Sequence, residues 1–495
     1  MKGLIKVGLL VASLMSAGSA MCQAQPDPQG YSISTPRPIN PAASTTNPSA
    51  LATQGQNPYL GSTPAGKATD QVLSLSLRDA VERGLRYNLG LIESNQGTAE
   101  VRAQRLRALS ALLPNLSVKG EQAFEDISLK EIGLKLPPIP GFPGLPPTTG
   151  AFGYQDARVS VAQSVYNAEL HDRYGAQKSA EQASALSTRD ARDVVVYAVG
   201  IAYLQVVASA ARVETARAQL ASAQQLDQQT ADQVRAEVSP EIDSIRAQVQ
   251  RQTAEQRLIN TTDAFEKDKL ALGRIIGIPI DQKFAVVDPS EYRPLPEFTQ
   301  QSATAEALRD RADLRSAEAN VHAAQYSVQA EKAQRLPAFS LRADYGGAGV
   351  NVGSFNSVYT VAGSISFPIY TGGRIRADVD EARANLTRRQ AEYEDLRGRV
   401  AYDVRVAWLD LGASDTGVKV AQKNQALAER ALTQSRDRYS NGVTNYLEVL
   451  QAQETLTAAR ENYIQSLYSF NVSKMALARA MGVAERRFSD FFGGK

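Results

Sequence analysis

Residues 439–456 read YSNGVTNYLEVLQAQETL, and a related stretch lies 205 positions earlier: VSPEIDSIRAQ (238–248) stands against VTNYLEVLQAQ (443–453). At that offset Asp243 falls on Glu448, Ala247 and Gln248 on Ala452 and Gln453, Tyr197 on Tyr402, Leu272 on Leu477, Arg274 on Arg479 and Gly277 on Gly482. A single offset held over some 80 residues marks an internal duplication, which decides the fold before any local reading. Each copy reads as a tight turn between two long helices, with a carboxylate just inside the second helix. These turns are the expected working end of the molecule.

The chain has 495 residues with 54 Lys+Arg against 52 Asp+Glu, so no charge excess points to nucleic acid. Lys2 and Lys6 precede an apolar run over 7–15 and small residues up to Ala20 or Ala24, the pattern of a signal peptide over 1–24. The single cysteine, Cys22, sits where a lipoprotein would be acylated, although Met21 occupies a position where a small residue is expected. No disulfide framework is available to the mature chain. Residues 25–70 begin with a stretch rich in Pro, Ser, Thr, Asn and Gln, which has too little apolar surface to order itself and reads as a disordered leader.

Beyond the leader, 75–113 carries helical spacing and ends at Pro114. Residues 116–124 and 157–166 alternate like strands and flank a loop over 130–150 that holds six prolines. Residues 169–236 contain no proline and read as one helix or two stacked ones; Ser239-Pro240 breaks the run, and a further helix reaches Ile276. Residues 279–296 form an irregular link. The second copy repeats the order: a helix ending at Pro337, strands over 339–345 and 358–370, a helix over 374–438, and a last helix over 446–480. The seam Ile375, Val379, Ala382, Leu386, Tyr393, Leu396, Val400, Val404, Ala407 and Leu411 has coiled-coil-like spacing. Residues 194–208, VVVYAVGIAYLQVVA, resemble a membrane span, but their copy at 399–413 holds Asp403, Arg405 and Asp410, so a packed helix is expected. The domain plan is therefore a first repeat over 71–278, a linker over 279–298, a second repeat over 299–483 and a C-terminal tail over 484–495.

Four alternating strands per chain cannot close a membrane barrel, which needs about eight. They form either a small soluble sheet or a barrel shared among chains. The doubled helix–hairpin–helix–turn–helix plan, with FPIYTGGRIRADVDEA (367–382) and YSNGVTNYLEVLQAQETLTAARENY (439–463), closely resembles the TolC-like outer-membrane efflux proteins. The resemblance covers about residues 75–482. It implies a mainly α fold with a small β part: long antiparallel helical hairpins forming an α-barrel, and four strands per chain joining a trimeric, twelve-stranded transmembrane β-barrel. It also implies a homotrimer in the bacterial outer membrane extending into the periplasm, contact with outer-membrane lipid, a periplasmic adaptor protein and an inner-membrane pump of RND or ABC type.

On that reading Asp243 and Glu448 ring the closed periplasmic gate. An acidic residue in a first helical turn also has an ordinary explanation in the helix dipole. One turn on stand Arg246 and Gln451, and Thr444 occupies a position where some relatives carry a gate arginine, so this chain departs from a two-layer acidic ring and an arginine lock. Val238, Ser239, Tyr439, Gly442, Val443 and Thr444 are the adaptor-docking tips, Gly442 also serving as a left-handed helix cap. Tyr359, Val361, Ile365 and Phe367 are the lipid-facing strand residues. Trp408, Tyr203 and Tyr393 are expected to pack between helices. His171 and His322 are the only histidines, and no metal-ligand cluster, cofactor site or nucleophile–base set stands out, so no enzymatic activity is expected. The expected function is a passive exit duct of a tripartite efflux or type I secretion system, for small molecules such as drugs and toxic compounds or for a secreted protein. The alternative is a periplasmic coiled-coil adaptor or structural protein without a pore.

Overall fold

The computed structural model describes residues 57–128, 148, 150–288, 292–294 and 299–492, all within the unit 53–495. In order it holds β1 (Leu73–Leu75), α1 (Leu77–Tyr87), α2 (Leu89–Ser110), β2 (Asn115–Glu125), β3 (Phe152–Tyr166), α3 (Ala168–Arg235), α4 (Glu241–Ile276), β4 (Phe284–Val286), α5 (Gln300–Asp310), α6 (Ala312–Ala333), β5 (Ala338–Gly349), β6 (Asn356–Ser366), α7 (Arg374–Ser440), α8 (Tyr446–Ala480) and α9 (Phe488–Phe492). The signal peptide, most of the leader and nearly all of the proline-rich loop lie outside the described residues.

Two single helices expected from spacing are each two. The first breaks at Asn88 and the second at Arg311, leaving helices of 11 and 22 residues in both halves. Both break residues take extended backbone, with φ near −60° and ψ of 132° and 125°. The cause is tertiary. Asn88 is fully buried, and its amide donates to Tyr59 O at 2.7 Å and to Ile275 O at 3.5 Å. Arg311 donates to Ala480 O at 3.2 Å and to Asp403 at 3.3 Å. Each break therefore satisfies an end carbonyl of a long helix, which has no partner within its own last turn. Capping boxes at Ser76–Asp79 and Thr299–Ser302 start the short helices.

Three further expectations change. The leader is ordered from Asn57: Tyr59 packs against the main core, and Ala65 N donates to Gly277 O at 3.0 Å. The irregular link contains β4, which pairs in parallel with β1. Finally, β6 starts at Asn356 and ends at Ser366, so Phe367 lies beyond it. Pro368 follows and has no N–H to donate to a ladder. The 169–236 stretch, which left one or two helices open, is one helix of 68 residues, roughly 100 Å long at ~1.5 Å per residue.

The apolar 194–208 stretch of α3 is core. Val195, Val196, Val199, Tyr203 and Val206 are at most 1% exposed, packed among Leu272, Ile276, Val400, Val404 and Met475. Tyr203 also donates to Asp288 at 2.8 Å. The α7 seam is buried at Ile375, Val379, Val400, Val404 and Ala407 and half-buried elsewhere. The 484–495 tail is partly structured: α9 inserts Phe491 into the same core.

These contacts arrange the long elements in open rows. Toward the sheet the packing order is α2–α3–α6–α7, and toward the far tips it is α4–α3–α8–α7. The sheet has order β2–β3–β5–β6, antiparallel throughout. Sheet and helix tips lie at opposite ends of α3 and α7, because the strands join their N-termini and the turns to α4 and α8 join their C-termini.

Candidate functional site: the helix tips and the strand faces

At the first tip α3 ends at Arg235 with Ala236 as its C-cap, and the chain reverses through Glu237, whose φ is 58°. Val238 N returns to Gln233 O at 3.0 Å, and Pro240 stands at the start of α4. At the second tip Gly442 takes the same role with φ 70°, Val443 N returns to Arg438 O at 2.9 Å, and Asn445 caps α8 by accepting from Glu448 N at 3.3 Å. Glu237 and Gly442 are one offset apart. A glutamate thus holds a left-handed conformation that glycine adopts freely.

The two carboxylates sit alike, in the first turns of α4 and α8. Ser239 Oγ donates to Asp243 at 3.4 Å, and Thr444 Oγ1 donates to Glu448, in each case from four residues before. Both carboxylates also have a cation. Arg246 approaches Asp243 at 3.4 Å, and Arg438 approaches Glu448 at 3.6 Å. Arg438 and Ser435, the latter 3.4 Å from Glu448, lie on α7 across the turn and were not singled out from the sequence. Gln451 is exposed on α8.

Tyr439 ties the two hairpins together, its hydroxyl donating to Gln233 Oε1 on α3 at 2.7 Å. Its ring meets Tyr446 edge-on, with centroids 6.2 Å apart. Tyr446 is buried among Leu226, Ala247, Leu432 and Val449. Burial, reinforced by the negative side chains nearby, pushes its pKa up to about 12. Beneath the tips there is thus a buried apolar cluster, while Val238 and Val443 project at 74% and 67% exposure. Of the residues expected to dock an adaptor, the two valines face solvent, and Tyr439 is held between the hairpins by its contacts with Gln233 and Tyr446.

At the other end, register separates the strand residues by face. One face carries Leu116, Val118, Val159, Val161, Leu341, Tyr345, Tyr359, Val361 and Ile365. Every charged residue of the four strands (Lys119, Glu121, Glu125, Asp156, Arg158, Arg342 and Asp344) lies on the opposite face. Tyr359, Val361 and Ile365 thus share the apolar face as expected, and Phe367 follows the strand at its helix end. Among the described residues no group of His, Cys, Asp and Glu side chains could hold a metal ion.

Residues 303–483 match the family of outer membrane efflux proteins. The efflux protein BepC of Brucella suis is 29% identical over 197 residues, 39% of this chain and 43% of the relative. The chain spans less than half the length of the first two curated relatives it matches, 43% and 45%. A probable efflux pump outer membrane protein, SepC of Pseudomonas putida, is 25% identical over 350 residues, 68% of this chain and 71% of that one. The outer membrane protein VceC of Vibrio cholerae superposes with a TM-score of 0.68 at 18% identity, covering 82% of this chain and 96% of its own. Residues 303–483 thus match the outer membrane efflux protein family, the chain is similar in sequence to efflux relatives, and it shares the fold of VceC over nearly the whole of that protein.

Proposed function

We propose that the protein is the outer-membrane channel of a tripartite export system, a passive duct reaching from the outer membrane into the periplasm and carrying no enzymatic chemistry. The observation that carries the reading is the segregation of the sheet: all charge on one face, apolar side chains on the other, and two unpaired edges, β2 and β6. Lipid tolerates no open sheet edge, and about eight strands is the smallest closed membrane barrel. Three copies would supply twelve strands, and the helix rows, also open at both sides, would close with them into an α-barrel. A periplasmic adaptor without a pore has no use for a charge-free strand face.

The near-equal helix lengths on the two sides of residues 279–298 and the 205-residue offset support an internal duplication, with repeats over 71–278 and 299–483. At the tips, Asp243 and Glu448 form the gate, with Arg246 and Gln451 beside them. Val238 and Val443, with Ser239, Gly442 and Thr444, offer the surface for a periplasmic adaptor, which links the duct to an inner-membrane pump.

Expression in a Gram-negative host tests this. The protein should fractionate with the outer membrane, run as a trimer in detergent and conduct ions in planar bilayers. A monodisperse monomer that retains its β-signal overturns the channel reading in favour of the adaptor.

A further inference from the structure

We propose that a charged ladder centred on Arg158 is an ion-selecting belt about midway along the barrel lumen; this deepens the channel reading and rests on it. Arg158 is clamped. Its Nε and Nη2 engage both oxygens of Asp156 at 2.8 and 2.6 Å, and Nη1 crosses to Asp344 on β5 at 3.2 Å. The Tyr154 hydroxyl donates to Asp156 at 2.7 Å. On β2, Lys119 stands opposite Arg158 and Glu121 opposite Asp156, and these two pair at 2.5 Å. The ladder therefore spans three strands within a few neighbouring residue pairs. Toward the helices the same face turns neutral, with Ser164, Ser340 and Ser364 in adjacent strands.

This face must point into the lumen, because the other face is the charge-free one. Its side chains are held by one another, so the belt presents fixed charges rather than mobile ones. The strand residues of the face carry Lys119, Arg158 and Arg342 against Glu121, Glu125, Asp156 and Asp344, leaving an excess of one negative charge per chain. Repeated around a barrel with a low-dielectric wall, this small excess is focused into the pore, as rings of charged side chains do in ion channels.

The test uses the full-length protein in planar bilayers under a KCl gradient, with hexaamminecobalt(III) added from the barrel side, from which the belt is reached without passing the helix tips. Arg158→Gln should raise the cation-over-anion permeability ratio, and Asp344→Asn should lower it. Each change should be about two- to threefold, the Boltzmann weight of one elementary charge several ångströms away in water. Hexaamminecobalt block should strengthen in the first variant and weaken in the second. Should Arg158→Gln fail to assemble, Asp344→Asn and Glu121→Gln carry the same test, both expected to shift toward anions. A conducting parent whose variants keep both its permeability ratio and its block overturns the belt alone. A parent that conducts in neither orientation overturns the channel reading, and the belt with it.

Discussion

Glu237 and Gly442 hold the same left-handed backbone at equivalent turns. The glutamate carries a steric cost of roughly 1–2 kcal/mol that the glycine does not. Glu237→Gly should therefore leave the first tip as resistant to limited proteolysis as the parent or more so. Gly442→Val should open the second tip to cleavage, since a β-branched side chain suits that conformation least. The carboxylates of the proposed gate give a second prediction. Each has an arginine on its own hairpin, so the negative charge offered to a cation is partly cancelled. Asp243→Ala with Glu448→Ala should weaken cation block from the helix-tip side. Arg438→Gln, by freeing Glu448, should strengthen it. If both variants block like the parent, the carboxylates only complement helix dipoles, a contribution of up to about 1 kcal/mol each.

Helix α8 carries a buried lysine. Lys474 donates to Arg293 O at 3.2 Å, and its ammonium lies 4.8 Å from the Phe492 ring centroid and 5.4 Å from that of Phe470. Burial, with a smaller contribution from Arg293, lowers its pKa from 10.5 to about 8. Between those values the unfolded chain binds the proton and the folded one does not, so stability rises with pH from about 8 toward 10.5. The gain should reach up to ~3 kcal/mol at ~1.4 kcal/mol per unit. Lys474→Met should remove the rise, as read from denaturation at pH 7.5, 8.5 and 9.5. A parent whose stability is flat over that range contradicts the assignment. The same scale explains the end of β6: Phe367 continues the apolar alternation of the strand, yet Pro368 ends the ladder at Ser366.

In the whole molecule, the rows of helices and the two-faced sheet are open at their sides, edges that the proposed trimer would close. Neighbouring residues of β6 separate the two faces. Val361 lies on the apolar face opposite Ala343, and Thr360 on the charged face opposite Asp344. Val361→Lys should cost about 2–4 kcal/mol per chain near the bilayer midplane, reducing the trimer seen on gels and the protein recovered in outer membranes. Thr360→Lys should assemble normally. Equal yields from the two would show that this sheet does not face lipid.

Much of this architecture was legible in the chain itself. The 205-residue offset located both hairpin tips, and helical spacing with its proline and glycine stops marked α4 and α8 to within a residue or two, because caps and periodicity act over a few neighbours. The charged copy of 194–208 was enough to read that apolar run as a packed helix. The breaks at Asn88 and Arg311 were not legible, because their partners, Ile275 and Ala480, lie 187 and 169 residues away in the chain. Nor was the placement of Arg438 beside Glu448, which depends on how a turn folds back, or the gathering of all strand charge on one face. Alternation within a strand shows that two faces exist. Only the register between strands, with its irregularity at Ser164 and Tyr166, decides which residues share a face.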